Sequence, residues 1–215
     1  GKQGFSSRVT SMSPAELEKA EENVERRELP FIKEKRFDVA DFTPGKPRVI
    51  ALNPEGTELW VSPIEGYFAR LPLEGATPEA VNAIANGPAV GHDLKLTFRT
   101  LMDKGLDWQG PVGHDTHVAA FILNALERLR ELSDLRGMKL DMGDPHQVLP
   151  SIWEAYNDQK AQFDQLPKLY EVATKLDFPV IKLLAVIEHR GITLDSVFLH
   201  DMGGKFAERI AEFEA

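Results

Sequence analysis

An α/β domain that passes into a purely helical segment is the fold class predicted by this 215-residue sequence. Three features carry that expectation. A strand–turn–strand pair lies early, β-type runs alternate with helical periodicity through the middle, and only helical periodicity follows Leu166. Hydrophobic residues make up 42% and charged residues 27% of the chain, enough to bury a sizeable core.

The elements follow in order. Ser13-Pro14-Ala15-Glu16 forms a capping box with proline at the first helical position, and Leu17, Ala20 and Val24 give a narrow apolar stripe on a charged helix ending near Leu29. That helix reads as a solvated linker. Arg36 to Phe42 reads as a strand. Arg48–Leu52 and Thr57–Ser62 read as two more, joined in a hairpin by Asn53-Pro54-Glu55-Gly56. Thr77-Pro78-Glu79 opens a helix that stops at Asn86-Gly87-Pro88, and Ala89–Val90 is a brief strand. Asp93 caps a helix carrying Leu94, Phe98, Leu101 and Met102, which ends at Lys104-Gly105. After a short strand at Val112, Asp115 caps a helix whose core side runs Val118, Ile122, Ala125, Leu129 and Leu132. A loop from Arg136 to Pro145 leads to a helix with Val148, Ile152, Tyr156 and Phe163.

Beyond Leu166 the apolar positions Leu169, Val172 and Leu176 precede Pro179, and Val180, Leu183, Leu184 and Ile187 follow it up to Gly191. Asp195 caps a last helix bearing Leu199, Met202, Phe206, Ile210 and Phe213. The expected organisation is a linker over 1–35, an α/β domain over 36–165 and a helical extension over 166–215, without internal repeats.

Composition narrows the function. With no cysteine, disulfides and thiolate metal sites are excluded. The net charge of −9 argues against a free-standing DNA binder, because sequence-independent DNA affinity needs many Lys and Arg contacts to phosphate. The longest apolar run, Phe178 to Ile187, is interrupted by Lys182 and too short for a bilayer. The polar start shows no signal peptide. Gly1 in place of an initiator methionine reads as a cloning remnant on a chain cut from something longer.

Two Gly-His-Asp triplets, at Gly91-His92-Asp93 and Gly113-His114-Asp115, could suggest metal ligation with His117 close by. Each Asp, however, sits where a strand turns into a helix, so capping is the expected role. Neither a phosphate loop nor a Gly-x-Ser-x-Gly elbow is present, and Trp60, Trp108 and Trp153 fall at core positions rather than on a base-stacking platform.

Three stretches together resemble the proofreading-exonuclease region of bacterial DNA polymerase I, a family A polymerase. They are Val90-Gly91-His92-Asp93-Leu94-Lys95, then His114-Asp115-Thr116 running into Ala119-Ala120-Phe121-Ile122-Leu123, and then Phe178-Pro179-Val180-Ile181 through Ile187-Glu188-His189-Arg190-Gly191-Ile192-Thr193-Leu194-Asp195. The last resembles the opening of the polymerase domain. The resemblance implies a ribonuclease H-like (DEDD exonuclease-like) fold, a mixed sheet flanked by helices, followed by the helical start of the polymerase domain.

In active members of that family carboxylates hold two divalent ions that activate water and stabilise the leaving oxygen. Carried over onto this chain, the ligand positions look vestigial. The first motif, Asp-x-Glu on the first strand, is matched by Asp38 with Ala40 in place of the glutamate. In the second, Asp93 replaces an asparagine and Thr97 takes the aspartate position. In the third, Tyr-x-x-x-Asp, Leu149 falls at the ligand and Pro145 at the tyrosine. Hydroxyl, methyl and isobutyl groups cannot replace anionic oxygen donors for a hard cation. Several polymerases of the family carry such a degenerate domain.

The resemblance therefore implies a fragment of a DNA polymerase I whose exonuclease-like domain is inactive and acts as a structural spacer. It would pack against the polymerase domain of the same chain, with the N-terminal helix leading toward a 5′-nuclease domain. This segment itself is expected to hold no cofactor or metal. The parent would be a cytoplasmic, monomeric nucleotidyltransferase of DNA replication and repair, using Mg2+ and reaching DNA through its polymerase region. The enzymatic alternative is an active 3′–5′ exonuclease with Asp38, Asp93, Asp115 and Asp158 as rearranged ligands. A free-standing interaction module is the third reading.

Overall fold

In the computed structural model, residues 29–214 are described, apart from Phe31, Glu65, Leu129 and the side chain of Ile64. The expected capping box at Ser13 and its helix lie outside the described residues, as does the expected core position Leu129.

Six strands form one sheet: β1 (Lys33–Glu34), β2 (Arg48–Leu52), β3 (Glu58–Ile64), β4 (Tyr67–Pro72), β5 (Ala89–Gly91) and β6 (Val112–Asp115), in the spatial order β1-β4-β3-β2-β5-β6. β2, β3 and β4 are antiparallel neighbours, with Val49 opposite Ser62 and Leu59 opposite Leu71. β5 runs parallel to β2 and β6 parallel to β5, as crossovers through helices require. The α/β expectation holds at this level: a six-stranded mixed sheet with helices on its faces.

The two-residue alternation of strands divides the core. Ile50, Leu59, Val61 and Leu71 face one side, where they meet Val81 and Ile84 of α1 (Pro78–Ile84) and Leu94, Phe98 and Leu101 of α2 (Leu94–Asp103). Val49, Ala51, Trp60 and Phe68 face the other side. There they meet Leu132 of α4 (Leu132–Arg136) and Val148, Leu149 and Ile152 of α5 (Pro145–Asp164). Between them, α3 (Thr116–Leu123) packs Ala119 into the first face.

The structure corrects the sequence expectation in three places. Residues 36–42 do not form a strand. They are extended chain and a 3-10 turn over Val39–Asp41 capped by Asp38, and the edge strand lies earlier, at Lys33–Glu34. β4 has no counterpart among the sequence expectations. The helix begun by Asp115 ends at Leu123 instead of reaching Leu132, with Asn124 as its C-cap. Its continued four-three spacing misleads because Ala119 belongs to the first face and Leu132 to the second, and one straight helix cannot serve both.

The C-terminal segment is built onto the same core. α6 (Pro167–Val172) continues through a π-helical turn, Ala173–Asp177, into α7 (Phe178–Arg190). Pro179 therefore does not break the helix. The π turn directs the Phe178 N–H to Ala173 O, and the widened turn accommodates a proline that has no N–H to donate. Phe178, Ile181 and Ala185 are buried against the first face. Polar contacts fasten α7 to α2 and the loop after it: Glu188 pairs with Lys95 at 2.7 Å and with Arg99 at 3.6 Å, His189 meets Asp103 at 2.7 Å, and Lys182 donates to Trp108 O. Gly191, at φ +65, ends α7, and α8 (Ser196–Glu214) buries no residue.

Gly110 sits where two loops meet. A Cβ there would fall on the Ala85 carbonyl oxygen and close to Gly87 O, both backbone atoms. Gly110→Ala is expected to cost roughly 1–3 kcal/mol through forced backbone displacement. A urea midpoint equal to the parent's would show that the loops yield freely.

Candidate functional site

The described residues form a cavity of about 570 Å³ beside the C-terminal end of β2. One wall is Ala51, Leu52 and Asn53 with the turn Pro54-Glu55-Gly56, and the opposite wall is His92, Asp93, Leu96, Thr97 and Thr100, from the end of β5 into α2. The floor is Leu132, Val148 and Ile152, and Met142 stands at the mouth. Ligand sites of open α/β sheets commonly lie off the carboxyl ends of strands.

The local sequence explains each wall. Asn53 holds the hairpin turn, its Oδ1 accepting from Thr57 N at 2.8 Å and Glu58 N at 2.9 Å. Asp93, at φ +54, is the one non-glycine residue with positive φ among those described, and its carboxylate accepts from Leu96 N as the cap of α2. Asp115 caps α3 by accepting from His117 N at 2.9 Å and Val118 N at 3.0 Å, and it also takes Leu94 N at 2.6 Å. It thus ties the starts of two helices together. The capping roles expected for both aspartates are observed.

Two histidines flank this junction. His92 Nδ1 lies 2.9 Å from Thr116 Oγ1, and its ring centroid is 5.5 Å from that of His117. Burial, with a smaller contribution from His117, pulls the His92 imidazole down to about 4, against a small opposing effect of Asp93. Asp115 is pushed upward, chiefly by burial, in spite of the N–H donors around it.

Of the expected ligand positions, Thr97 lines the cavity, but its hydroxyl donates back to Asp93 O at 3.4 Å. Asp38 and Ala40 lie on the exposed 3-10 turn, where the Asp38 carboxylate accepts from Ala40 N; neither lines the cavity. Leu149 is fully buried in the second-face core and Pro145 opens α5, so both stand outside the lining. The four-residue spacing of the third motif is met at the cavity by Val148 and Ile152, three positions further on. Strand β2 and the Asn53-Pro54-Glu55 turn, not residues 36–42, supply the sheet side. The sequence signal for them is the hairpin turn directly after the apolar run Val49–Leu52.

The four carboxylates of the rearranged-ligand alternative are engaged in separate tasks. Asp38 caps a turn, Asp93 and Asp115 cap helices, and Asp158 pairs with Arg136 at 2.9 Å. Among the described residues no group of three or more His, Asp or Glu is placed to hold a metal ion. The donor set does not fit a two-ion centre, which requires several oxygen ligands converging on one place.

Fold and cavity together define a mixed α/β domain with a pocket at the ends of its central strands and a helical extension sharing its core. In sequence it is 24% identical over 151 residues to a DNA polymerase I of Chloroflexus aurantiacus, covering 58% of this chain and 16% of that protein. Its fold matches part of a solved M. smegmatis structure described as the POL domain of Pol1 in complex with DNA primer-template and dNTP. That match has a TM-score of 0.62 and 22% identity, over 77% of this chain and 32% of the other. The likeness to DNA polymerase I read from the sequence is thereby borne out. The chain spans about a sixth of the curated relative's length. No protein-family model matches it. No helix among the described residues is long and apolar enough to cross a membrane.

Proposed function

We propose that the chain is the exonuclease-like region of a DNA polymerase I, ribonuclease H-like in architecture, that no longer cleaves DNA and serves as a spacer for the polymerase region. The observation that carries this reading is the chemistry of the cavity. Where a two-ion nuclease gathers carboxylates on one point, the inner lining offers Thr97, Leu132, Val148 and Ile152, while Glu55, Asp93, Asp103 and Glu131 at its edge form no group placed to hold a metal ion among the described residues. The inner side chains supply no anionic oxygen and the edge carboxylates do not converge, so in this reading the region holds no catalytic Mg2+ of its own. In this reading Mg2+, the template-primer and nucleotide addition belong to the polymerase region of a monomeric, cytoplasmic parent acting in replication and repair.

The spacer role is supported by the outer surface of the C-terminal helices. α7 is apolar on both sides: Phe178, Ile181 and Ala185 are buried, while Leu183, Leu184 and Ile187 are exposed on the other side. α8 exposes Phe198, Phe206 and Ile210. A helix with apolar side chains on two opposite sides is suited to burial between two bodies, and a following polymerase region would supply the second.

Incubation with a 5′-labelled single-stranded oligonucleotide in Mg2+ or Mn2+ tests the central claim. No shortening above the buffer control is expected. Stepwise loss from the 3′ end, abolished by Asp93→Ala, would establish a working nuclease and end the spacer reading.

A further inference from the structure

The cavity has a chemical character of its own. Its floor is apolar, with Leu132, Val148 and Ile152 each no more than 2% exposed, and Met142 is 44% exposed at the mouth. Around it stand the carboxylates of Glu55, Asp93, Asp103 and Glu131, against the single lysine Lys104. A volume of about 570 Å³ suits a small ligand or two to three amino-acid side chains. A nucleic-acid backbone is disfavoured here, because the acidic rim repels phosphate and no metal-binding cluster among the described residues offsets it. A purely apolar group would fill the floor and leave the rim's field unanswered.

Arginine satisfies both parts. Its methylene stem packs on apolar surface, and its planar fork of donors matches carboxylates. The rim carboxylates retain acceptor capacity for this: Asp93 accepts from Leu96 N and Asp103 meets His189 Nδ1, whereas an ionised carboxylate has about four acceptor sites. We infer that this cavity is a docking groove for a polypeptide segment that presents an arginine beside a large apolar side chain. The inference does not depend on the polymerase reading, since it rests on the lining alone.

The test uses the whole chain and three probes: the peptide acetyl-Leu-Arg-Phe-amide, the same peptide with citrulline for arginine, and pentathymidylate. Citrulline keeps the shape and removes the charge. Amide shifts of Thr97 and Ile152 and the Met142 methyl signal report occupancy. The arginine peptide is expected to move these signals and to bind about fivefold more tightly than its citrulline counterpart at low salt. Pentathymidylate is expected to leave them in place. Glu55→Gln with Glu131→Gln should reduce the arginine advantage while keeping the apolar contact, and unchanged shifts elsewhere in the spectrum would show that the fold is intact. Equal binding of both peptides, no binding of either, or shifts of these signals by pentathymidylate would each overturn the inference. Nuclease activity would count against the spacer reading alone, so failure of the two is distinguishable.

Discussion

Replacing Arg48 by alanine is expected to lower the stability of the domain by about 3 kcal/mol, because several buried acceptors lose their donor at once. Arg48 opens β2 and is 1% exposed. Its Nη1 donates to Ile84 O and to Asn86 Oδ1 at 2.8 Å, and its Nη2 donates to Thr43 O at 3.1 Å and Lys46 O at 2.8 Å. The guanidinium also stands 5.8 Å from the centroid of the Phe42 ring. No carboxylate pairs with it among the described residues; carbonyl dipoles answer its charge. One side chain thereby fastens the 43–46 loop and the end of α1 to the central strand. Lysine keeps the charge but lacks the fork, so Arg48→Lys should recover little of the loss. Urea unfolding of the parent and both variants gives the measurement. A cost below about 1 kcal/mol would show that the loops hold without it.

Acid should unfold the domain well before its surface carboxylates are fully protonated. His114, on β6, is completely buried, and burial is the main cause that lowers its imidazole to about 4, partly opposed by the bond to Gln159. The Gln159 amide donates to Thr116 O at 2.8 Å, so its Oε1 faces His114 Nε2, also at 2.8 Å, and the ring carries its proton there. Nδ1 is the site left to protonate, and it is buried without a partner. The rings of Tyr156, Phe163 and Phe178 surround it at 5.0–6.2 Å.

The sign follows from which state binds more protons. Unfolded histidine takes up its proton near 6.5, and folded His92 and His114 only near 4. Their contribution is therefore fully present above about 6.5 and is lost as pH falls toward 4. At about 1.4 kcal/mol for each pH unit, each histidine withdraws roughly 3 kcal/mol over that window. Asp115 acts in the opposite sense. Its folded carboxyl is raised, so its contribution is present below the ordinary aspartate value and lost as pH rises.

Urea unfolding at several values between pH 4 and 8 should therefore show stability level above about 6.5 and falling below it, with the two histidines contributing a slope of up to about two protons. His114→Leu should remove about one of them, while costing about 1–3 kcal/mol at neutral pH for the unpaired Gln159 oxygen. A flat pH profile in the parent would mean that neither histidine stays neutral in the folded state.

The sequence alone determined the features written within a few residues of one another. The caps at Asp93 and Asp115, the Asn53-Pro54-Glu55-Gly56 turn and the helical C-terminal segment are set by hydrogen bonds and side-chain spacings of two to four positions, all of them local in the chain. The likeness to DNA polymerase I was likewise read from short stretches, among them those around Asp93 and Asp115. Only tertiary structure decided the rest. β4 exists because it pairs along β3, α3 stops at Leu123 because Leu132 is needed on the opposite face of the sheet, and Pro179 is tolerated because the π turn before it accommodates a residue without an N–H. The cavity walls are likewise non-local, bringing Asn53, Thr97, Leu132 and Ile152 together from distant parts of the chain. Contacts between distant segments depend on which face of the sheet each side chain meets, and that choice is made by packing the whole chain.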